Sequence, residues 1–428
     1  MKLVFEDIGN LHNFKSCPDV NPSGIKRFTY APLINATNMF FSFSRTESFL
    51  KFIEFNPEVE NYIIPAAVNH SPDDWTGYND KVKSLFEYLN PKYIKDLRNK
   101  KALLLLDQSF EGYQTSWLWD FFHTHCQQYN VPPSSIIYVT GNMIADETYE
   151  KFCYENDIQD KMKVIPYAHF ELDVGMTCYH MDQTGLLPNF NTHLNYKKKN
   201  KKNIKTFSCL NKRIRPHRVW FYKYMFENDI IKNGLVSMNE FSKHQYPFEN
   251  NLIDLDVIDK ISENLPLLIY DKRNNELDDN YYIRRLNEQI CLDSFISVVS
   301  EAHCGDSDET MFLSEKLFKP IACRHPWMVM GNKDSLSMMK KMGYKTFSNF
   351  VNEDYDSLPT HERMLSIIES IKKVIDVKDK IEWYESTREI VEHNHKNLID
   401  KLYKLPESFV EVLKYYNEYF TGEKNKLI

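Results

Sequence analysis

One helix-like stretch between two apolar runs limits the fold of this chain more than any other feature. The stretch, residues 311–321, lies between apolar runs at 295–299 and 326–330. Short apolar runs on both sides of an amphipathic segment are typical of a helix that connects two parallel strands. Ser314 is placed to cap this helix, so the Glu-Lys pair that follows falls in its first turn. The pattern predicts a parallel sheet with charged side chains at its carboxyl edge.

The same alternation of strand-like and helix-like segments runs through both halves of the chain. Strand-like segments in the first half are 61–65, 102–106, 136–139 and 164–166. In the second half the alternation restarts at residue 204 and continues to about residue 347, after which three amphipathic stretches close the chain. We predict an α/β fold with two doubly wound, Rossmann-like domains that face a cleft, followed by C-terminal helices.

Composition argues against several classes of protein. There is no run of ~18 apolar residues and the amino terminus lacks a signal-peptide core, so we expect no membrane span and a cytoplasmic location. The eight cysteines include no C-x-x-C pair, which indicates reduced thiols and no zinc or disulfide framework. The chain also lacks the glycine-rich motifs of dinucleotide oxidoreductases and P-loop NTPases.

Charged side chains from two loops are expected to meet at the carboxyl edge of the second sheet. Glu315 can accept hydrogen bonds from ribose hydroxyls, while Lys316 and the helix N-terminus can neutralise a diphosphate. The loop 211–218 carries three arginines, and guanidinium groups bind phosphate oxygens in a bidentate manner. A solvated, basic helix start is the other interpretation of this loop. The predicted ligand is a nucleotide sugar, linked through UDP or GDP, with no separate cofactor. Its predicted binding residues are Arg213, Arg215, Arg218, Glu315, Lys316 and Lys319.

A short part of the second half resembles the donor-binding signature of α1,3-fucosyltransferases. In that family a strand ending in a Phe-Glu-Asn-Ser-like run precedes a Tyr-Val-Thr-Glu-Lys-Leu-like helix start, and the matching segments here are 300–303 and 312–317. Glu301 falls on the family's first glutamate and joins the predicted donor-binding set. The resemblance implies ribose contact for Glu315 and phosphate contact for Lys316. An Ala-His pair follows Glu301 where the family carries Asn-Ser, and the connecting loop is longer.

A second resemblance, to bacteriophage and large-virus glycosyltransferases, extends along most of the chain. Those proteins share a Ser-Glu-Lys-x-Phe-Lys-Pro-Ile helix, a His-Pro-type strand and a Leu-Gly-Phe-Lys-Thr-Phe-like segment, here 314–321, 325–331 and 342–347. Their first halves carry an apolar strand ending in Asp before a Glu-Gly pair, and a Val-Thr/Ser-Gly-Asn turn, here 106–112 and 139–142. The two resemblances imply glycosyl transfer on the two-domain architecture called GT-B.

An inverting enzyme with such a donor chiefly needs a base for the acceptor hydroxyl. Asp107 and Glu111 follow a run of four leucines, which places them at the carboxyl end of a buried strand, facing the donor across the predicted cleft. Asp107 is preferred, although a turn role for Asp107 and a solvent-facing role for Glu111 are the structural alternatives. His169 and Glu171 are further candidates. The acidic triplet 306–308 fits a D-x-D metal motif, but such triplets arise by chance and no required metal is expected.

The acceptor prediction depends on a run of lysines. These are Lys197, Lys198, Lys199, Lys201 and Lys202. A basic run at the rim of the cleft would attract double-stranded DNA, and the viral resemblance makes a flipped-out hydroxymethyl cytosine of viral DNA one acceptor. A glycan or lipid-linked sugar is the other acceptor, and a solvated linker is the structural alternative for the lysines. A non-catalytic nucleic-acid-binding protein on the same fold is the non-enzyme alternative.

These patterns predict four segments. They are an acceptor-side domain at 1–195, a basic linker at 196–203, a nucleotide-sugar donor domain at 204–375 and C-terminal helices at 376–428 that pack back on the first domain.

Overall fold

The computed structural model of the chain shows two compact units. It describes residues 2–3, 54–55, 60–67, 86, 89, 91–109, 111–112, 117–212, 214–240, 260, 262–263, 265–267, 286, 288–404 and 406–422. One unit comprises 1–169, 308–312 and 401–428, and the other comprises 170–307 and 313–400. Each unit is built on one sheet whose paired strands are parallel, which confirms the predicted α/β class.

The strands and helices alternate along the chain. The described strands are β1 (Lys2–Leu3), β2 (Glu54–Phe55), β3 (Tyr62–Ala67), β4 (Ala102–Gln108), β5 (Ile136–Thr140), β6 (Lys163–Pro166), β7 (Lys205–Asn211), β8 (Gly234–Met238), β9 (Ser294–Ser300) and β10 (Trp327–Met330). The described α-helices are α1 (Pro91–Arg98), α2 (Trp117–Tyr129), α3 (Ala145–Glu155), α4 (His169–Gln183), α5 (Phe190–Lys199), α6 (Pro216–Glu227), α7 (Glu288–Leu292), α8 (Glu315–Ala322), α9 (Ser335–Lys341), α10 (Thr360–Ile375), α11 (Lys380–Ser386), α12 (Arg388–Asp400) and α13 (Glu407–Thr421). No helix in these ranges is long and apolar enough to cross a membrane.

The sheet of the first unit has the strand order β2-β1-β3-β4-β5-β6. Its strand β4 contains the run of four leucines, all fully buried. A central strand of a parallel sheet is covered on both faces, so apolar residues follow one another without alternation. Trp119 of α2 packs over this sheet against Tyr138 and Tyr149, with a ring-centroid distance of 4.9 Å to Tyr149. Large aromatic rings therefore fill the layer between helices and sheet.

The last helix returns to the first unit. On α13, Glu411 forms an ion pair with Lys163 at 2.9 Å, and the Tyr415 hydroxyl donates to the Ser134 carbonyl at 2.6 Å. Helices α11 and α12 belong instead to the second unit, where the ring of Tyr384 stacks on Phe190 at 5.1 Å. The return thus begins at about residue 401, later than the predicted boundary at 376.

The second unit begins earlier than predicted. Its first residues lie in α4, where the Cys178 thiol lies 3.7 Å from His395 Nδ1, and in α5. Asn189 caps α5 by accepting from the Thr192 N–H at 2.9 Å, and the helix continues to Lys199. The segment 196–203 is therefore half helix and lies inside one unit, which differs from the predicted linker between domains.

Candidate functional site

The strand order of the second unit defines a ligand-binding edge. The order is β10-β9-β7-β8, so the chain moves outward from β7 in one direction to β8 and in the other to β9 and β10. The direction of winding reverses between β7 and β9. Open α/β sheets bind ligands outside the carboxyl ends of their strands at such a reversal. The segments that leave β7 at Lys212 and β9 at Glu301 carry the predicted donor-binding residues.

Glu301 joins the end of β9 to the start of α8. Its carboxylate is fully buried and accepts hydrogen bonds from the N–H and the hydroxyl of Ser314, with 3.0 Å for the N–H. The N–H of Ala302 also donates to it at 3.0 Å. Burial raises the pKa of Glu301, although Lys316 and the Ser314 hydrogen bond oppose that rise. These contacts make Glu301 a positioning residue for the helix start.

Arg218 joins the helix after β7 to the end of β9. Its side chain is buried, and Nη2 donates to the carbonyl of Glu301 at 2.9 Å and to that of Ser300 at 3.3 Å. His217 Nε2 lies 3.1 Å from the same Glu301 carbonyl, so it donates a hydrogen bond to that oxygen. Burial, with the charge of Arg218, lowers the pKa of His217 to about 3. The two side chains therefore hold the β7 and β9 loops together at the reversal point.

The start of α8 carries alternating charges. Lys316 Nζ lies 2.8 Å from Glu315 Oε1, and the side chains are 32% and 14% exposed. Burial raises the pKa of Glu315, but Lys316 and Lys319 outweigh it and the pKa falls below the ordinary value. Burial lowers the pKa of Lys319 to about 8, against the opposing effect of Glu315. The result is an ionised carboxylate held between two lysines in one helical turn.

Arg215 is a further cation near the charges at the start of α8. Arg215 is half-buried at the N-cap of α6, and its guanidinium forms no hydrogen bond or ion pair with any residue in the described ranges. Its charge acts on Arg218, His217 and His303. Arg213, also predicted here, lies outside the described residues. These charge effects and the hydrogen bonds above bring the predicted residues on α6, α8 and at the end of β9 together within the second unit.

Sequence reasoning did not select His303. It is half-buried two residues after Glu301, and burial together with Arg215, Lys316 and Arg218 lowers the pKa of His303 to about 4. The only signal in the sequence was the Ala-His pair at the end of β9, which counted as a difference from the fucosyltransferase pattern.

The two base candidates lie in the first unit, after β4. Asp107 is fully buried and its Oδ1 accepts from the Ser109 N–H at 2.9 Å, which is a turn contact. Glu111 is half-buried, and its backbone carbonyl accepts from the Gly141 N–H at 3.0 Å. The winding of this sheet reverses between β1 and β3, one strand away from β4. The base assignment stays a prediction for both residues.

The reserve base candidates occupy structural positions. His169 and Glu171 are buried at the start of α4. Glu171 Oε1 accepts from the hydroxyl of Tyr344 at 2.6 Å, and burial with the nearby charge of Glu171 raises the pKa of that tyrosine. The contact anchors α4 within the second unit.

The Val-Thr-Gly-Asn turn holds the segment 309–312. Asn142 Oδ1 accepts from the Met311 N–H at 2.8 Å, and its Nδ2 donates to the Glu309 carbonyl at 2.7 Å. A Cβ atom at Gly141 would lie 2.8 Å from the ring of Phe312, and one at Gly112 would come closer still. The glycines of both first-half motifs thus make room for one phenylalanine.

Asp306 of the acidic triplet has a structural role. It accepts hydrogen bonds from the N–H and hydroxyl of Thr360 at 3.0 and 2.7 Å, and forms an ion pair with Arg363 at 2.8 Å. These contacts cap α10. Within the described ranges, no group of three or more His, Cys, Asp or Glu side chains is arranged to hold a metal ion.

The lysine segment lies at the opposite edge of the sheet. It precedes β7, whereas the arginine loop follows β7, and a strand of seven residues spans roughly 20 Å. Lys198 and Lys201 are exposed and lie 3.5 and 4.0 Å from Glu385 and Asp379. Lys199 and Lys202 are also exposed. The lysines predicted to contact the acceptor therefore precede the amino end of β7, whereas the predicted donor-binding residues follow carboxyl ends of strands in the same unit.

Lys197 is not a surface residue at all. Its side chain is fully buried, and Nζ donates to the carbonyls of Cys291 and Leu292 at 2.7 and 2.9 Å and to that of Ser294. The ammonium also lies 4.6 Å from the ring centroid of Tyr384. Burial lowers the pKa of Lys197 to about 7, although nearby Cys291 and Asp293 oppose the shift. It cannot contact DNA from this position.

The buried lysine predicts a pH dependence of stability. Between pH 7 and pH 9, we expect the free energy of unfolding to rise by about 2 kcal/mol more in the wild type than in Lys197→Met. The pKa is about 7 in the folded chain and ~10.4 in an unfolded one, so between these values only the unfolded chain binds the proton. Raising the pH therefore favours the folded state. Urea titrations measure the difference.

Lys198→Met is the matched control, because it removes the adjacent, exposed lysine. It should keep the wild-type dependence on pH. Equal slopes in the wild type and Lys197→Met would contradict the prediction and would mean that the three carbonyls keep the ammonium charged.

No family model and no curated protein matches the sequence. Among solved structures, the chain is similar to an α,α-trehalose 6-phosphate synthase from Burkholderia multivorans, at 9% identity and a TM-score of 0.41 over 79% of this chain and 76% of that one. A UDP-GlcNAc 2-epimerase from Neisseria meningitidis bound to UDP-GlcNAc is similar at 9% sequence identity and a TM-score of 0.34, over 87% of this chain and 81% of the epimerase. An α1,3-fucosyltransferase is similar at 11% sequence identity and a TM-score of 0.34, over 98% of this chain and 89% of that one. All three TM-scores are low, so these likenesses do not by themselves indicate a function.

Proposed function

We propose that the chain is a nucleotide-sugar-dependent glycosyltransferase. The observation that carries the proposal is the cluster of Arg215, Arg218, Glu315, Lys316 and Lys319 at the carboxyl edge of the second sheet, at the point where its winding reverses. Parallel α/β sheets bind nucleotides at this position, and the excess of cations there suits a diphosphate.

The cluster divides into groups with different roles. Arg215 and Lys316 are the side chains proposed to bind the diphosphate, because Arg218 already donates to the carbonyls of Ser300 and Glu301. Glu315 is proposed to accept hydrogen bonds from the ribose, since Lys316 and Lys319 keep it ionised. As the glycosidic bond breaks, negative charge grows on the leaving diphosphate, and fixed cations lower that barrier. Because these cations compensate the charge on the leaving diphosphate, we propose transfer that needs no metal ion. We also propose that the transfer inverts the anomeric configuration.

The general base is proposed to be Glu111. It is half-buried, whereas Asp107 is fully buried and its carboxylate accepts a turn hydrogen bond from Ser109. A base must exchange its proton with an acceptor hydroxyl, which requires access to that group. This reverses the order of preference that the sequence suggested.

Two acceptor classes are to be compared: a glycan or other sugar hydroxyl, and a hydroxymethyl cytosine in double-stranded DNA. The exposed lysines lie roughly 20 Å from the donor cluster, at the amino end of β7. DNA bound to these lysines would have to extend around the unit before a flipped base could reach the donor. We therefore propose a sugar hydroxyl as the acceptor class.

The proposal is tested by following the release of nucleoside diphosphate. Purified protein with EDTA present is incubated with UDP- and GDP-linked sugars and, in parallel, with sugar acceptors and hydroxymethylated DNA. We expect one nucleotide to raise the melting temperature and one acceptor to stimulate release of its diphosphate. Absence of both binding and release for every donor would overturn the glycosyltransferase proposal.

Replacing Glu111 separates chemistry from binding. In Glu111→Gln we expect kcat to fall ~100- to 10,000-fold, because a missing general base costs that much, while nucleotide affinity stays at its wild-type value. Glu147→Gln, an exposed glutamate at the start of α3, is the control and should turn over normally. Loss of transfer in Asp107→Asn together with normal transfer in Glu111→Gln would return the base to Asp107.

A further inference from the structure

The loop between β9 and α8 contains a segment, residues 308–312, that belongs to the first unit. Asn142 Oδ1 accepts from the Met311 N–H at 2.8 Å, and Asn142 Nδ2 donates to the Glu309 carbonyl at 2.7 Å. The Met143 N–H donates to the Met311 carbonyl at 2.7 Å. These three hydrogen bonds fix the backbone of the segment against the turn that follows β5, so the side chain after Met311 has a defined position.

That side chain is Phe312, and its ring fills a space that two glycines leave open. The ring is buried. A Cβ atom at Gly112 would lie 2.2 Å from ring atom Cδ2, and one at Gly141 would lie 2.8 Å from Cε2. Distances this short mean that the ring already touches the backbone of both glycines. A residue with a Cβ atom at either position would therefore displace the ring.

The same two glycines are neighbours of Glu111, the proposed base. The Gly141 N–H donates to the Glu111 carbonyl at 3.0 Å, and the Glu111 N–H donates to the Gln108 carbonyl at 3.0 Å. Gly112 follows Glu111 directly in the chain. The backbone of Glu111 is thus held by hydrogen bonds to the ends of β4 and β5, while the ring of Phe312 packs on the residue that follows it.

The contact with the ring matters because glycine adopts more backbone conformations than any other residue. A Glu-Gly pair after a strand can therefore change its course unless another group packs against it. A base must lie within hydrogen-bond reach of the acceptor hydroxyl, and a displacement of about 1 Å can cost ~100-fold in rate. Resting on the proposed function, we propose that Phe312 is a positioning residue for Glu111 and holds the Glu-Gly pair in the conformation that presents the carboxylate to the acceptor.

A double-mutant cycle between Phe312→Leu and Glu111→Gln tests this role. Leucine keeps the site apolar but has no ring to cover Gly112. We expect kcat to fall about 10- to 100-fold in Phe312→Leu, while the dissociation constants of UDP and GDP keep their wild-type values. In the Glu111→Gln background the same replacement should lower kcat no further, because it acts through a carboxylate that is already absent.

Diphosphate release, with the sugar donor and acceptor that react fastest in the wild type, measures kcat, and titration calorimetry measures nucleotide affinity. Phe152→Leu is the matched control, because it removes another buried ring of the first unit, one that packs against His123 of α2 and Tyr149 of α3. It should keep the wild-type kcat. Melting curves verify that each variant is folded. Gly112→Ala displaces the ring from the opposite side and should give the same result as Phe312→Leu.

The outcomes separate this role from the proposed function. A wild-type kcat in Phe312→Leu, or an equal loss with and without the Glu111 carboxylate, would overturn the role of Phe312 alone. Normal turnover in Glu111→Gln would place the base elsewhere, and the role of Phe312 would fall with that assignment. If the wild type releases no diphosphate from any donor, the glycosyltransferase proposal itself is wrong.

Discussion

Replacing Arg215 with methionine is expected to weaken nucleoside diphosphate binding about 100-fold. A charge-assisted, bidentate contact between guanidinium and phosphate contributes roughly 3 kcal/mol, and each 1.4 kcal/mol corresponds to about a factor of ten. Within the described ranges the Arg215 guanidinium supports no other residue through a hydrogen bond, so folding should be little affected. Calorimetric titration with UDP and GDP gives the dissociation constants, and urea titration measures stability.

Lys202→Met is the control for Arg215→Met. It also removes one positive charge from the second unit, but at the amino end of β7. Its nucleotide affinity should stay within about threefold of the wild type, because screened charges at roughly 20 Å interact weakly. Equal losses in the two variants would mean that net charge, and not the arginine loop, controls binding.

Replacing Arg363 with methionine is expected to lower the free energy of unfolding by about 3 kcal/mol, the upper end of the cost of leaving a buried acceptor without its charged donor. The guanidinium is 1% exposed in its ion pair with Asp306 and also donates to the carbonyls of Gly331 and Leu358, the latter at 2.8 Å. Methionine fills much of the same space but leaves the buried Gly331 carbonyl without this donor and the half-exposed Asp306 carboxylate without its ion pair. Urea denaturation followed by tryptophan fluorescence measures the loss.

Lys372→Met provides the comparison on the same helix. Lys372 pairs with Glu369 at 2.7 Å, close to the 2.8 Å of the Arg363 pair, but its side chain is 34% exposed. An exposed pair contributes at most about 1 kcal/mol because water and salt screen it. A similar small loss in Arg363→Met would contradict the role assigned to this buried arginine.

Several features of the site could be predicted because they depend on local sequence. Ser314 caps α8 and accepts from the Lys316 N–H, as the Ser-Glu-Lys order indicated. Parallel strands place their carboxyl ends at one edge, so the residues after β7 and β9 had to meet. That rule needs only the order of the strands and helices, which the apolar periodicity supplies.

The role of each side chain could not be predicted in the same way. Glu301 and Arg218 both carry charges suited to a ligand, yet each is engaged by protein groups: Ser314 for the glutamate, and the carbonyls at the end of β9 for the arginine. Arg215 is three residues from Arg218, and its guanidinium forms no hydrogen bond or ion pair with the part of the chain that the structure describes. Which of two arginines is buried depends on the neighbouring strand, a contact between residues more than 80 positions apart.

In the lysine segment, the local sequence predicts the positive charges, but tertiary contacts decide which of them are buried. By itself, the sequence determined the α/β class, the parallel strands, the capped start of α8 and the charges near it, because periodicity and capping act over a few residues. Only tertiary structure decided that Lys197 is buried while Lys198 is exposed, and that both lie at the edge opposite the arginines. Burial of an ammonium requires acceptors, and those come from the carbonyls of Cys291, Leu292 and Ser294, which only the folded chain brings to it.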